Sequence, residues 1–311
     1  MRGDRLRAAV PTSAAAGFTT AAILLIAGCA AIGAAVAGER GAIGGGVLAG
    51  VFLAAAYAYG DRLALSAMLA RPVSEVEYPE LYRLVRELST AGRLPVPRLC
   101  VSPAGQPNSF TVGRSRRTAT VCCTHGLLRA LDDTELRGVL GHELAHVSGR
   151  DILASTMAAG LATIITFPAG IAGFLPGRAG TRPAEAAAPG PAAPRGAAAS
   201  GLGVIEASLM LVLGPIAALV IRLTATPARE YRADAAGAQL SGDPVALARA
   251  LRKIDAGTAE LALAPDGRLT SVGHLMIACP FRAEGFARLF GTHPPAGERV
   301  RRLEALAGYR R

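Results

Sequence analysis

The 311-residue sequence has no tryptophan, few other aromatic residues and little charge. Charged residues make up 18% of the chain, whereas soluble domains carry about 25%. Lys253 is the only lysine, so arginine supplies nearly all of the positive charge behind the net +10. No basic run is interleaved with aromatic residues, which argues against nucleic-acid binding. With 51% hydrophobic residues, the composition favours a membrane protein whose arginines lie at cytoplasmic helix ends and on a solvated surface.

Cysteine is also scarce. The five cysteines are odd in number, and no two of them form a CxxC pair. This excludes a zinc-ribbon pattern and gives no obvious disulfide framework. We therefore expect reduced, apolar cysteines in a chain whose soluble part faces the cytosol.

Two uncharged stretches follow each other near the N-terminus. Residues 8–38 carry no charge, and the part from Phe18 to Gly38 is long enough to cross a hydrocarbon core of ~30 Å. After one acidic and one basic residue, residues 41–60 are again uncharged. A cleaved signal peptide is the alternative for the first stretch, but its apolar part is longer than a typical h-region. The sequence predicts a transmembrane hairpin over residues 1–62.

The charges around this hairpin predict its orientation. Arg2, Arg5 and Arg7 precede the first span, whereas the turn carries one charge of each sign. The excess of arginine places the N-terminus in the cytoplasm, and the chain returns there after residue 60.

The segment that follows has mixed helix and strand patterns. Residues Tyr78 to Gly92 have the spacing of an amphipathic helix. Pro95 to Val101 and Thr118 to Thr124 predict strands, with a loop at Gly105 to Ser109 between them. Leu127 to Gly149 predicts a further helix, which carries the chemically most informative residues.

That helix contains the pattern HExxH, with His142, Glu143 and His146. Residues four apart share one face of a helix, so both imidazoles can reach one zinc ion. Glu143 adjoins the first ligand and can take a proton from the attacking water. The pattern arises by chance in roughly one chain in a hundred of this length, so alone it is only suggestive.

A second pair of residues strengthens the zinc hypothesis, because catalytic zinc needs a third protein ligand. Glu230 and Asp234 are four apart on an apparent helix. We predict that Glu230 is the third ligand and that Asp234 orients a ligating imidazole through its other ring nitrogen. The alternative is a solvated acidic face interleaved with Arg229 and Arg232.

Two later stretches complete the predicted topology. Residues 152–177 are uncharged and form a third candidate span, whereas 207–221 contain a proline and are weaker. A linker rich in Ala, Pro and Gly, predicted to be disordered, separates them over 178–202. Because the zinc ligands must share a compartment, both stretches cross or neither does. The linker's three arginines argue against an outside location of the linker. The length of the third stretch nevertheless favours two further crossings, and we predict four spans in all.

These features together resemble the HtpX-like membrane-bound zinc metalloproteases, which are gluzincins with HExxH and a downstream glutamate. The resemblance covers most of the chain, from the N-terminal hairpin to residue 303. Its markers, in chain order, are Pro107-Asn108-Ser109-Phe110, Thr120-Val121, Gly126-Leu127-Leu128, Glu135-Leu136, Gly141-His142-Glu143, Arg229-Glu230-Tyr231, Ala233-Asp234, Ala248 to Ile254, His274-Leu275, Thr292-His293-Pro294-Pro295, Arg299 and Leu303.

The sequence departs from the family pattern in a few places. Ser109 replaces a common alanine, Gly141 replaces an alanine, and Thr226-Pro227 stands where basic or serine residues are usual. The linker between the third and fourth spans is also unusually long. None of these differences removes a catalytic group.

Two further residues have possible catalytic roles. Asn108 lies beside a strand that, by the resemblance, borders the cleft, where an extended substrate adds as a further strand. Its alternative role is to make the turn with Pro107. His293 precedes two prolines and could stabilise the developing oxyanion, the alternative being a capping or structural histidine. His125 and His274 are assigned to structure.

The resulting prediction is a mainly α chain, with integral membrane helices and a cytosolic zincin-type (gluzincin) α+β metalloprotease domain. That domain is divided between residues 63–151 and 224–311, with a second transmembrane hairpin over 152–223. By resemblance, the protein is a multi-pass enzyme of the cell membrane that holds one Zn²⁺ and cleaves misfolded or damaged membrane proteins under stress. The alternative is a membrane scaffold or regulatory protein whose zinc site is not used for proteolysis.

Overall fold

The computed structural model describes residues 12–149, 152–172, 201–263, 267–282 and 291–308. The helices in these ranges are α1 (Thr12–Ala67), α2 (Pro79–Gly92), α3 (His125–Ala130), α4 (Asp133–Gly149), α5 (Ile152–Ala172), α6 (Gly201–Thr224), α7 (Pro227–Ser241), α8 (Pro244–Glu260), α9 (Gly267–Val272) and α10 (Ala296–Leu306). The strands are β1 (Arg71–Pro72), β2 (Arg98–Ser102), β3 (Ser109–Val112) and β4 (Thr120–Thr124).

The long helix α1 consists of two arms joined by a sharp reversal. Ala37 and Gly38 leave the helical conformation, and Gly38 has a φ of 60°, which glycine adopts at no steric cost. A Cβ on Gly45 would lie 2.1 Å from the carbonyl oxygen of Cys29, although a straight helix would separate these residues by ~24 Å. The two arms therefore pack antiparallel, and the hairpin predicted over 1–62 is present from residue 12 onward.

Helices α5 and α6 pack against both arms of α1 and complete an apolar bundle. Ala21 and Ala56 of the hairpin share one buried cluster with Leu161 of α5 and Val220 of α6. Small residues at these contacts let helix backbones approach closely, as in membrane bundles. The outward face keeps large apolar side chains exposed, for example Val36 at 83%. Such a surface suits a lipid environment.

By length and composition, the segment Ala14–Ala67 is long and apolar enough to cross a membrane. Two further candidates are bent helix pairs, α4 with α5 and α6 with α7. The third and fourth predicted stretches correspond to α5 and α6, and α6 continues as a helix through Pro215. Most of the predicted linker, residues 178–200, lies outside the described residues.

The four strands form one small mixed sheet in the order β1-β2-β4-β3. The central strands β2 and β4 run parallel, with Cys100 opposite Cys122. The strand β3 pairs antiparallel with β4 at the edge. Beyond that edge, the N–H of Ile277 donates to the carbonyl of Ser109, and Phe110 bridges to Met276. The side of β3 that faces away from β4 is thus already hydrogen-bonded to the chain itself.

The main hydrophobic core lies between this sheet and the helices α2, α4 and α8. Its largest fully buried members include Leu88, Leu140, Leu144, Leu247 and Leu251. Burial of each such side chain stabilises the fold by about 1.5–3 kcal/mol. Because α4 is enclosed by the sheet on one side and by α7 and α8 on the other, its polar residues are held in a rigid, largely dry environment.

The predicted elements are present, and the structure differs from the predictions mainly at residues 109–112 and 127–149. The predicted amphipathic helix and both predicted strands are present within a few residues. The helix predicted from Leu127 to Gly149 is instead two helices. The break between these helices lies at Asp132. Its carboxylate accepts hydrogen bonds from the backbone N–H groups of Thr134 and Glu135 and so caps the start of α4. The edge strand β3 was not predicted.

Candidate metal centre

Helix α4 brings the two histidines of HExxH together one turn apart. The Nε2 atoms of His142 and His146 are 3.2 Å apart, and their rings meet edge to face with centroids at 4.8 Å. His142 is fully buried and His146 is only slightly exposed. Two ring nitrogens at this distance share either a proton, in an N–H···N hydrogen bond, or a metal ion when both are unprotonated.

Glu230 reaches the same point from α7. Its Oε2 lies 3.7 Å from Nε2 of His142, and its Oε1 lies 3.9 Å from Nε2 of His146. Single ligand atoms of the three residues all lie within 4.8 Å of one another. The structure therefore brings together the three residues that the sequence predicted as zinc ligands.

The helices α4 and α7 approach closely enough for this because glycines face each other between them. A Cβ on Gly237 would lie 2.6 Å from the backbone nitrogen of His142, and a Cβ on Gly141 would lie 2.8 Å from the carbonyl oxygen of Gly237. Real Cβ atoms do not tolerate backbone contacts this short. Gly141 thus belongs to a tight helix crossing.

The donor set fits a zinc ion. Zinc prefers imidazole nitrogens and carboxylate oxygens at about 2.0–2.2 Å in a tetrahedron, which places ligand atoms ~3.3–3.6 Å apart. The two nitrogens are 3.2 Å apart, and the nitrogen–oxygen distances are 3.7 Å to one oxygen of Glu230 and 3.9 Å to the other, so the ligand atoms lie slightly farther apart than around a bound ion. Nδ1 of His142 lies 2.9 Å from Oδ1 of Asp234, so Nδ1 donates and the lone pair of Nε2 faces the other ligands.

Asp234 is itself held by a buried arginine. Arg299 donates from Nε to Oδ2 at 2.8 Å and from Nη2 to Oδ1 at 2.7 Å, and its Nη1 donates to the carbonyl of Ile277. Burial acts to raise the pKa of Asp234, but Arg299 outweighs it and the pKa falls to about 2. Asp234 is therefore an anion that fixes the tautomer of His142.

The role of Arg299 was missed at the sequence level, where it was only a family marker. A signal was available, because Arg299 precedes Val300 and Leu303 on the buried face of α10. A cation on an apolar helix face needs a buried carboxylate partner. Nothing in the sequence, however, tells which carboxylate that partner is.

Glu143 does not lie among the ligand atoms but faces the sheet. Its Oε1 accepts from the hydroxyl of Ser109 and its Oε2 from the hydroxyl of Thr111, both at 2.6 Å. Burial raises the pKa of Glu143, and the charge of His142 and the two hydroxyl groups oppose that shift without cancelling it. A buried carboxylate of raised basicity suits a proton acceptor.

Glu230 lies among positive groups. Burial acts to raise the pKa of Glu230, but His146, Arg229 and His293 hold it well below the usual range. Arg229 also donates to the hydroxyl of Ser155 on α5. Glu230 is thus an anion before any metal binds, as a ligand must be.

His293 lies beside these ligands. Its Nδ1 is 3.8 Å from Oε2 of Glu230 and has no hydrogen-bond partner among the described residues, while Nε2 is 3.4 Å from the carbonyl oxygen of Gly273. Burial lowers the pKa of His293 to about 4, so the ring is neutral. His293 also lines a cavity of about 740 Å³, together with residues of α8, α10 and the segment 277–282.

Asn108 has a different environment from the one its predicted role requires. It is fully buried, its Nδ2 donates to the carbonyl of Ala278 at 3.0 Å, and its Oδ1 accepts from the N–H of Ser109. The edge of β3 at this point is paired with residues 276–278. An extended substrate therefore needs another edge or a displacement of this segment, and a catalytic role of Asn108 stays a prediction.

The remaining histidines have structural surroundings. Nε2 of His125 lies 3.1 Å from the hydroxyl of Tyr78, which joins α3 to the start of α2. Burial lowers the pKa of His274 to about 3, and its Nε2 lies 3.4 Å from the carbonyl oxygen of Ser155. Both contacts agree with the assignment of these residues to structure.

HExxH on a buried helix, completed by a glutamate from a later helix, is the arrangement that gluzincin-type metallopeptidases share. The fold and the site together place the chain in that class. Residues 75–307 match Peptidase family M48, and the chain belongs to that family. This confirms the family resemblance inferred from the sequence motifs.

Similar proteins agree with this assignment. The chain is 53% identical over 260 residues to a protein from Kineococcus radiotolerans, covering 82% of this chain and 83% of the relative. It is 45% identical over 255 residues to one from Paenarthrobacter aurescens, covering 81% and 82%. A relative from Thermococcus sibiricus is 39% identical over 279 residues, covering 89% and 90%. Each of these is named a protease HtpX homolog.

Proposed function

We propose that this protein is a membrane-bound zinc endopeptidase in which His142, His146 and Glu230 hold one Zn²⁺ and Glu143 is the catalytic base. The observation that carries this proposal is the convergence of three ligand atoms within 4.8 Å beside a buried carboxylate on the same helix. Zinc, when bound, acts as a Lewis acid that polarises water and the scissile carbonyl group.

The chain's own residues supply the proton transfer. Glu143 accepts a proton from the attacking water and returns it to the leaving amine, a task for which a raised pKa is favourable. Asp234, held by Arg299, keeps the proton on Nδ1 of His142.

We further propose that His293 stabilises the oxyanion that forms on the scissile carbonyl. Its neutral ring lies beside Glu230 and lines the large cavity next to the metal centre. A neutral imidazole has one N–H, so this role requires the proton on Nδ1, which has no other partner among the described residues, and not on Nε2 beside the carbonyl oxygen of Gly273. An N–H donor held in a buried site stabilises developing negative charge more strongly than water does.

The substrates that we propose are misfolded or damaged membrane proteins, cleaved on the cytoplasmic side as part of a stress response. Support comes from the closeness of the metal centre to the apolar bundle. Arg229, the neighbour of Glu230, donates to Ser155 on α5, so the centre lies next to the end of a bundle helix. A segment that leaves the bilayer there reaches the catalytic residues directly.

Metal content and proteolysis of the purified full chain in detergent test this proposal. We expect about one zinc per chain and cleavage of unfolded casein that a chelator abolishes and added zinc restores. The matched control is the same preparation treated with chelator already saturated with zinc, which cannot remove the metal. Cleavage that survives complete removal of zinc contradicts the proposal.

A further inference from the structure

The strand β3 presents two hydroxyl groups to the catalytic helix. Ser109 and Thr111 are two residues apart, so their side chains leave the same face of the strand. Each hydroxyl meets a different oxygen of Glu143 at 2.6 Å. Both oxygens of the carboxylate therefore accept hydrogen bonds from one short strand.

These two contacts are strong hydrogen bonds. A separation of 2.5–2.7 Å is typical of a hydroxyl that donates to an ionised carboxylate. All three side chains are buried, so water does not compete for the hydroxyl groups. Each oxygen of Glu143 keeps a further lone pair, which is free to accept a proton from water.

The strand itself is well fixed. On one side β3 pairs with β4, and on the other side Ser109 accepts from Ile277. A glutamate side chain has several rotatable bonds, and proton transfer requires the acceptor within hydrogen-bond reach of the donor. Two fixed donors remove the rotations that would carry the carboxylate out of reach.

We propose that Ser109 and Thr111 are positioning residues that hold the Glu143 carboxylate in the orientation in which it accepts the proton of the attacking water. This inference rests on the proposed role of Glu143 as the base. It assigns a purpose to the serine at 109.

The test compares Ser109→Ala, Thr111→Val and Thr111→Ser in the zinc-loaded full chain with a fluorogenic peptide substrate. Loss of a hydrogen bond to a charged group corresponds to a roughly 10- to 100-fold change, which we expect in kcat with KM and zinc content unchanged. Thr111→Val keeps the shape of the side chain and loses the hydroxyl, whereas Thr111→Ser keeps the hydroxyl and most of the activity, so the loss in Thr111→Val is due to the hydroxyl. A double Ser109→Ala/Thr111→Val variant with kcat within about two-fold of wild type overturns the inference.

A second readout uses the metal-free protein. Infrared spectra identify the Glu143 carboxylate band as the one that Glu143→Gln removes, and this band shifts in Thr111→Val but not in Thr111→Ser. An unshifted band in Thr111→Val overturns the inference even if that variant is inactive. If Glu143→Gln itself remains active, Glu143 is not the base, and the proposed function fails. If only the hydroxyl variants remain fully active, the proposed base stands and the positioning inference fails.

A separate feature lies on the loop between β3 and β4. Arg114, Arg116 and Arg117 are exposed, and in the part of the chain that the structure describes none of them forms an ion pair. Arg116 instead donates to the carbonyl of Ser148. Exposed arginines elsewhere, such as Arg83 and Arg301, are paired with carboxylates. The loop thus carries uncompensated positive charge.

This loop lies at the level where the apolar bundle ends. The guanidinium of Arg114 is 5.6 Å from the ring centre of Tyr57, which belongs to the uncharged stretch of α1. The N–H of Gly113 donates to the hydroxyl of Thr156 on α5 at 3.0 Å. Tyrosines are enriched at the boundary between hydrocarbon and water. Arg114, which lies next to Tyr57, is therefore at the height of lipid headgroups, and Arg116 and Arg117 follow it on the same loop.

We propose that Arg114, Arg116 and Arg117 form a docking surface for anionic phospholipid headgroups. Guanidinium groups match phosphate in geometry and charge, and each arginine near an anionic surface adds attraction. This inference rests on the proposed insertion of the bundle in a membrane.

Electron spin resonance with spin-labelled phosphatidylglycerol and phosphatidylcholine tests it in the full chain reconstituted in phosphatidylcholine vesicles. We expect the wild type to immobilise phosphatidylglycerol roughly two- to five-fold more strongly than phosphatidylcholine. The variant Arg114→Gln/Arg116→Gln/Arg117→Gln loses at least half of that preference. The control Arg86→Gln/Arg301→Gln/Arg302→Gln, which removes the same charge elsewhere on the chain, keeps it.

Equal preference in the loop variant and the wild type overturns the lipid inference, and so does an equal loss in the control. If the protein immobilises neither lipid, it is not inserted in the bilayer. That result contradicts the membrane proposal itself and is distinguishable from a failure of the loop inference alone.

Discussion

Charges at the metal centre are arranged as neighbouring opposite pairs. Glu230 lies beside Arg229, and Asp234 lies beside Arg299, all of them buried. An unpaired charge in such a place is costly, whereas a paired and hydrogen-bonded one is tolerated. The pairing therefore keeps two carboxylates ionised beside the histidines, so that the site needs little rearrangement to bind a cation.

Substitution of Glu230 tests its assignment as the third ligand. In Glu230→Ala two imidazoles remain, which is too few protein ligands for tight zinc binding. We expect zinc content, measured by mass spectrometry after dialysis, to fall from about one per chain to near zero. The exposed Glu260 on α8 provides the control, and Glu260→Ala keeps its zinc. Equal zinc retention in both variants rejects the assignment.

Asp234 and Arg299 have a different expected signature. Asp234→Ala frees Nδ1 of His142 and leaves Arg299 buried without its carboxylate, so we expect zinc affinity to fall by roughly 10- to 100-fold. The same change lowers the free energy of unfolding by about 3–5 kcal/mol. Competition with a chromogenic chelator and denaturant titration measure the two effects. Wild-type values for both contradict the network described above.

The three residues of the cluster could be predicted at this scale because HExxH fixes two of them and the helical spacing of Glu230 and Asp234 suggests the third, whereas their binding of zinc stays a prediction. Arg299 could not, because its partner Asp234 is 65 residues away and only the fold joins them. The hydroxyl groups of Ser109 and Thr111 were missed for the same reason. Their contacts with Glu143 depend on how β3 lies against α4.

At the scale of elements, the crossing of α4 and α7 decides the geometry of the site. Gly141 and Gly237 allow the backbones to touch, and this brings Glu230 to the histidines. Neither glycine has a positive φ, so each is required by the space between the helices and not by its own backbone conformation. The close approach is a property of the helix pair.

Gly237→Ala should therefore weaken zinc binding, although Gly237 is not itself a ligand. The new Cβ meets the backbone of His142 at 2.6 Å and forces the helices apart. We expect the free energy of unfolding to fall by about 1–3 kcal/mol, with weaker zinc binding. Gly297→Ala in α10 meets nothing within 4 Å and is the control. Full zinc affinity in Gly237→Ala shows that the crossing is not a constraint.

The element predictions succeeded where the hydrophobic pattern was periodic, as in α2, and where uncharged runs were long, as in α1. They failed at β3, a strand of only four residues, all buried, whose alternation of polar and apolar residues is too short to be distinguished from the adjoining loop predicted at Gly105 to Ser109. The division between α3 and α4 depends on a side-chain cap at Asp132, which a periodic pattern does not reveal. Short buried elements and caps thus limit sequence-based reasoning.

At the scale of the whole molecule, the apolar bundle and the catalytic domain share helices and contacts. The helix α5 follows α4 in the chain, packs against α1, and meets Arg229 at the metal centre. The catalytic centre is thus mechanically coupled to the bundle. This arrangement is consistent with substrates that reach the site from the membrane surface.

Cysteine labelling in intact cells tests the proposed four-span topology. In a background without the native cysteines, single cysteines within residues 178–202 should react with a membrane-impermeant thiol reagent. A cysteine at Arg301, exposed on α10, should react only after lysis. If the linker positions also react only after lysis, neither α5 nor α6 crosses the bilayer, and the protein has two spans.

The substitution Glu143→Gln tests the central claim most directly, because it removes the base and leaves all three zinc ligands. Zinc content and peptide hydrolysis are measured on the same purified preparation of the full chain. We predict about one zinc per chain, as in the wild type, with hydrolysis slower by roughly 100- to 10,000-fold. A variant that keeps its zinc and cleaves at a near wild-type rate contradicts the account.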